Sequence, residues 1–196
     1  MAKISYVRKI KDTPLLRLGI VEEGEKLAYT VSERLYSELS GLAVGEEIDE
    51  YTLDKIRGED EYYNAKKKAL SLLAYADNNE KTLVRKLLTK GISRSVAEDV
   101  AREMVSLGYI NEERQLERII LNEANRNFSG PEKIFRKLAA KGYSISKIKE
   151  VIRDLLDNGE IDFSKNASAL IERKIGPDSS AEEKKKLLFR YGYKPE

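Results

Sequence analysis

The sequence predicts a mainly α protein: tandem three-helix repeat modules in an elongated, curved array, preceded by a small N-terminal β-rich (α+β) segment. Three observations predict it. Apolar residues alternate with polar ones through the first sixty positions and then change to helical spacing. The phrase RKLLTKGIS at Arg85–Ser93 returns fifty-one residues later as RKLAAKGYS at Arg136–Ser144. Single glycines stand one step beyond the apolar helical stripes, where a left-handed residue closes a helix.

The strand-like part comes first. Ile4 and Tyr6, then Leu16, Leu18 and Ile20, then Leu27, Tyr29 and Val31 recur at every second position, the period of half-buried strands. The run EEGE at Glu22–Glu25 joins the last two, with Gly24 free to take the positive φ of a tight hairpin. A three-stranded antiparallel sheet is expected. Ser32 reads as the N-cap of a short helix carrying Leu35 and Leu39, with Gly41 placed to end it. A second short helix over Tyr51–Arg57 leads into GEDEYY, which puts a boundary near residues 58–62.

After Asn64 the segments align. First helices carry Ala65, Ala69, Leu72, Leu73 and Ala76; then Leu116, Ile119, Ile120 and Ala124; then Phe163, Ala167, Leu170, Ile171 and Ile175. Second helices carry the repeated phrase, with Leu83, Val84, Leu87 and Leu88 opposite Arg85, Lys86 and Lys90. Its second copy sets Ile134, Phe135, Leu138 and Ala139 opposite Arg136, Lys137 and Lys141, so each helix has a dry face and a basic one. Gly91 and Gly142 close these helices, and Ser93 and Ser144 read as N-caps of third helices that stop at Gly108 and Gly159. Asn111 and Asp162 cap the next first helices, Gly130 and Pro131 open the helix that carries the second copy of the phrase, and Ser180 with Glu183 forms a capping box. The expected organisation is residues 1–60 as the sheet and short helices, 61–110 and 111–160 as complete modules, and 161–196 as a module lacking its third helix.

Composition limits the function. Of 196 residues 41% are hydrophobic, enough for a core, and 36% are charged with a net charge of only +2. The charge is unevenly spread: residues 1–60 hold nine basic against thirteen acidic residues, and residues 61–196 twenty-seven against twenty-one. A polyanion contact therefore belongs to the C-terminal part. With no histidine and no cysteine, the commonest general base, the best nucleophile and the usual zinc ligands are missing. No phosphate-binding glycine loop is present. No enzyme activity, metal or cofactor is expected, and Glu112 and Glu113 read as complements to a helix dipole. The N-terminus has no apolar core of signal-peptide length and no run is long enough to span a bilayer, so a cytoplasmic monomer without membrane contact is expected.

The basic faces are the candidate binding surface: Arg85, Lys86, Lys90, Arg94, Arg126, Arg136, Lys137 and Lys141, with Arg102, Lys133 and Arg153 as extensions. Such faces are often merely solvated, but recurrence in tandem units lays charge at regular intervals, which suits a regularly spaced polyanion or filament. Tyr109 and Tyr143 read as packing at the module joints. Open readings are a binder of a regularly repeating filament, a stand-alone helical nucleic-acid-binding module and a protein-only scaffold.

A family resemblance bears on that choice. The segment GYINEERQLERIILNEANRNFSGPEKIFRKLAAKGYS, Gly108–Ser144, resembles the middle module of the RecX family, the bacterial regulators of the RecA recombinase. The similarity lies in the opening at Gly108–Glu112, in Arg114, and in the Gly-Pro-x-x-Ile-x-x-x-Leu-x-x-Lys-Gly run at Gly130–Gly142, and it covers roughly residues 63–193. Two departures stand out: Ala76, Asp77, Asn78 and Asn79 occupy the family's Arg-x-His/Tyr-Ser, and Gln115 replaces a phenylalanine. The resemblance implies a protein of recombination and repair that lies in the groove of the RecA–single-stranded DNA filament. It would hinder filament growth, strand exchange and nucleotide hydrolysis there.

Overall fold

The alternating segments form strands β1 (Ala2–Lys9), β2 (Leu15–Glu22) and β3 (Glu25–Ser32), and a two-residue strand β4 (Glu47–Ile48) extends the expected three to four, in the order β3-β2-β1-β4. This computed structural model describes residues 2–39 and 42–194. Every strand pairing is antiparallel. At the β2–β3 turn both Glu23 (φ +49°) and Gly24 (φ +88°) are left-handed, as a type I′ hairpin requires. Ile4, Leu16, Leu18, Ile20 and Val31 are buried on one face. Tyr6 departs from the expected alternation. A bulge between Ile4 and Tyr6 shifts the register, pairs Tyr6 with Gly19 and turns its ring out over a glycine that offers no Cβ to obstruct it.

Ser32 caps α1 (Glu33–Glu38) by accepting the Leu35 N–H at 3.0 Å; Gly41 lies outside the described residues. The short helix expected at Tyr51–Arg57 does not stop. Helix α2 runs from Glu50 to Tyr75 straight through Gly58. A mid-helix glycine costs only about 1 kcal/mol, and α2 buries Leu53 and Ile56 on one side of it and Ala65 and Ala69 on the other. The acidic GEDEYY run, now mid-helix, satisfies the open edge of β3: Asp60 accepts the Thr30 N–H at 2.6 Å and Glu59 the Ser32 N–H at 2.8 Å.

Backbone contacts divide the chain into two compact units, Met1–Ala76 with Leu83–Met104 and Asp77–Thr82 with Val105–Glu196. The helices after α2 are α3 (Glu80–Leu88), α4 (Arg94–Ser106), α5 (Glu112–Leu121), α6 (Pro131–Ala140), α7 (Ile145–Asp157), α8 (Phe163–Lys174) and α9 (Ala181–Tyr191). In the second unit Leu116, Ile120, Ile134, Leu138, Ile148, Val151 and Leu155 form one core, and Leu170, Leu187 and Tyr193 a smaller one. Burial pushes the Tyr193 hydroxyl up to about 12, and it donates to the Phe128 carbonyl at 3.2 Å.

The helix ends follow the expected chemistry. Gly91 (φ +79°) and Gly142 (φ +90°) each sit in a Schellman cap, with Ile92 N–H returning to the Leu87 carbonyl and Tyr143 N–H to that of Leu138. Gly108 and Gly159 are also left-handed. Asn111 and Asp162 accept the N–H three residues on, and the Ser180–Glu183 capping box is complete. Two serines differ. Ser144 holds the N-cap position, but its hydroxyl pairs with that of Ser146; Ser93 hydrogen-bonds the Glu61 carboxylate through both its N–H and its hydroxyl.

Two junctions in the second unit join helix ends directly. Gly130, at the N-cap of α6, donates its N–H to the Tyr191 carbonyl at 2.7 Å, and Glu132 N–H reaches the Gly192 carbonyl at 3.1 Å. The end of α9 thus supplies acceptors to the orphan donors at the start of α6. At the other end of α6, the Lys141 carbonyl accepts from Asn79 Nδ2 at 2.9 Å and Thr82 Oγ1 at 3.2 Å, while Asn79 Oδ1 caps Thr82 N–H. Asn79, which stands at the serine of the family pattern, therefore caps the start of α3 and adds a bond to the end of α6.

Candidate functional site

The first helix of the second unit does not continue as an α-helix. At Asn122–Arg126 it widens into a π turn, with Asn127 N–H bonded to the Asn122 carbonyl, and Phe128 follows with φ +52°. Glu123, on this turn, is buried. Its carboxylate accepts from Lys137 Nζ at 2.5 Å, Ser129 Oγ at 3.0 Å and Asn127 Nδ2 at 3.1 Å. Burial works to raise its pKa, but the bonds from Lys137 and Ser129 outweigh that and hold the carboxyl below its ordinary value. Glu123 stays ionised and fixes the Lys137 ammonium.

Around this turn lies an open hollow of about 800 Å³ whose lining includes Arg118, Asn122, Glu123, Arg126, Lys137 and Lys141. Arg118 pairs with Asp77 at its rim. Arg126 and Lys141 are exposed, and among the described residues neither has an ion-pair partner. Four cations against Glu123 and Asp77 leave the hollow positive, suited to phosphate or carboxylate oxygens.

The first unit carries a counterpart of about 410 Å³, lined by Asn64, Lys67, Lys68, Ser71 and Leu72 of α2 and by Lys90. Lys67, Lys68, Ser71, Leu72 and Lys90 correspond, fifty-one positions on, to Arg118, Ile119, Asn122, Glu123 and Lys141 of the larger hollow. In both, the lysine at the end of the repeated phrase meets a cation from the preceding first helix.

Of the expected basic residues, the structure gathers Arg126, Lys137 and Lys141 in one hollow and places Lys90 in the other. Arg85, Lys86 and Arg136 line neither; Arg136 turns its Nε toward the Glu132 carbonyl at 3.4 Å. Arg94 pairs with Glu98 at 3.5 Å and Arg102 with Asp99, both exposed. Lys133 lies over the Tyr191 ring at 4.8 Å. Sequence reading missed Lys67, Lys68 and Arg118, although Lys67 and Arg118 share one register in the repeat. Tyr143 is buried as expected, with its hydroxyl on Gln115 Oε1 at 2.9 Å, so Gln115 fills its family phenylalanine's place with a polar contact. Tyr109 departs from expectation: it is exposed. Among the described residues no cluster of three or more His, Cys, Asp or Glu could hold a metal ion, and no helix is long and apolar enough to cross a membrane.

Fold and hollows together define a class: a mainly helical protein fronted by a small antiparallel sheet, presenting positive charge in open hollows that recur with the sequence repeat. No family model matches the chain, but individual relatives do. It is 31% identical over 146 residues to regulatory protein RecX of Clostridioides difficile, an alignment spanning 74% of this chain and 66% of that one. It is 28% identical over 128 residues to regulatory protein RecX of Bacillus velezensis, spanning 65% and 48%. The chain thus spans about half to two thirds of the length of these curated relatives. A crystal structure of a regulatory protein RecX superposes with a TM-score of 0.69 at 20% identity, covering 99% of this chain and 95% of that one. RecX from Lactobacillus salivarius superposes with a TM-score of 0.57 at 21% identity, covering 69% and 90%. The chain belongs to the RecX family of regulatory proteins.

Proposed function

We propose that this protein binds the filament that the RecA recombinase forms on single-stranded DNA and lowers its activity: filament growth, ATP hydrolysis and strand exchange. The observation that carries the reading is the pair of basic hollows at equivalent repeat positions. A filament repeats its surface at regular intervals, and a chain that repeats its cationic hollow engages it at more than one point, with the gain in avidity that linked sites provide. Family membership supports the choice of partner. The protein acts by binding, without catalysis, cofactor or metal, as a monomer in the cytoplasm. The modules 61–110 and 111–160 each carry one hollow, and 161–196 is a third, truncated unit of the sequence repeat.

The test is the DNA-dependent ATPase of a cognate RecA. Wild-type protein lowers it. The double variant Arg126→Glu/Lys141→Glu loses inhibition and filament binding, and Lys67→Glu/Lys90→Glu weakens both. These residues are partly or fully exposed, so melting shifts by within about half a kcal/mol. Full inhibition by both variants refutes the reading. Binding to bare and recombinase-coated DNA separates it from a stand-alone DNA-binding module, which would not distinguish the two.

A further inference from the structure

Helix α9 buries Leu187 and packs Leu188 and Tyr191 against Leu170 and Tyr193. Phe189 comes two residues after Leu187, about 160° around the helix, and therefore points away from the core. It is 69% exposed. The chain has four phenylalanines, and the other three, Phe128, Phe135 and Phe163, are partly buried. Exposed tyrosines such as Tyr75 keep a hydroxyl for water; a phenyl ring in water has no such compensation.

The neighbours of Phe189 on α9 are cationic. Lys185 lies one turn before it, and Lys186 and Arg190, one turn apart, flank it on the other side, all exposed. Lys186 and Arg190 have no ion-pair partner among the described residues. The acidic residues of α9 sit at its start: Glu183 is engaged in the capping box with Ser180, and Glu182 is in the first turn. A helix C-terminus ordinarily repels phosphate, but here the Tyr191 and Gly192 carbonyls are occupied by N–H groups of α6. The same bonds hold the end of α9 in place.

We propose that this face of α9 is a contact for single-stranded nucleic acid, with an unpaired base stacked on the Phe189 ring and flanking phosphates held by Lys186 and Arg190. A single aromatic ring flanked along its helix by cations matches the alternation of flat base and charged phosphate along a single strand. A protein groove would call for a wider apolar patch. The contact needs no recombinase, so it stands or falls separately from the proposed regulation.

Fluorescence anisotropy with labelled oligothymidylate and oligouridylate tests it and tells DNA from RNA; tight binding of either supports the site. Phe189→Ala weakens binding about five-fold or more, the loss of one stacked base. Phe189→Trp retains it and Phe189→Leu behaves as alanine. Lys186→Ala and Arg190→Ala each reduce the salt dependence by about 0.7 in the log–log slope. Because Phe189 is exposed, helical content and melting stay at wild-type values. Equal binding by wild type and Phe189→Ala overturns the proposal, as does full binding by Phe189→Leu or no binding by wild type. If Phe189→Ala lost the recombinase-coated filament but kept the bare oligonucleotide, a protein would occupy this face and the proposal would fall.

Discussion

Replacing Gly130 by alanine separates two roles that glycine can play. Gly130 has φ −73° and ψ 167°, a conformation alanine adopts freely. On backbone grounds alone the change should stabilise by about 0.4–1 kcal/mol, by reducing the entropy of the unfolded chain. The structure reverses that sign. A Cβ at Gly130 would lie 2.5 Å from the carbonyl carbon and oxygen of Gly192 and 2.6 Å from the Tyr193 nitrogen, all main-chain atoms. The end of α9 must then withdraw, breaking the bonds from Gly130 N–H to Tyr191 and from Glu132 N–H to Gly192. Each contributes about 0.5–1.5 kcal/mol, and the Lys133–Tyr191 contact adds about 0.5–1 kcal/mol. Offset by the entropy gain, the net loss is about 2 kcal/mol. For a chain of this length that lowers the melting temperature by about 4–8 °C. Thermal and urea denaturation followed by circular dichroism measure it, and hydrogen exchange of the Gly130 and Glu132 amides localises it. An unchanged or raised melting temperature with unaltered protection would show that α9 does not press against α6.

Gly142→Val should destabilise by more than about 1 kcal/mol, because a β-branched residue resists φ +90° even where space is available; an unchanged urea midpoint would refute the cap. Glu123→Gln should cost about 1–2 kcal/mol at neutral pH by removing the charge that Lys137 and Ser129 bond. The folded pKa of Glu123 lies below the ordinary 4.5, so its contribution is complete above that value and is lost as pH falls through the folded one. The gap between wild type and variant should therefore close in acid, and a constant gap across that range would contradict the assignment.

Much of this architecture is local and could be read directly. Left-handed Gly91 and Gly142, the side-chain caps at Asn111 and Asp162 and the Ser180–Glu183 box depend on residues within one turn of each other. The two-residue and helical periods likewise mark which faces turn inward. The π turn was not legible, since it is held by Glu123 meeting Lys137 from another helix. The same holds for the site. The repeated phrase identified Lys90, Lys137 and Lys141, but Arg118 and Arg126, two turns apart on one helical segment, meet Lys137 and Lys141 only because the π turn packs against α6. Whether Arg136 or Lys137 faces the hollow turns on which of them finds the buried carboxylate.

The sequence by itself determined the small N-terminal sheet, the helical part after it, the left-handed glycines that end helices there and the caps at Asn111, Asp162 and Ser180, because each depends on spacing along one chain segment. Tertiary structure alone decided that α2 passes through Gly58, that Gly130 exists for a neighbouring helix end, and which cations share a hollow. Those outcomes are energies of contact between segments far apart in the chain. Burying Leu53 and Ile56 beside Ala65 and Ala69 outweighs one glycine's helix penalty, a balance that no local pattern records.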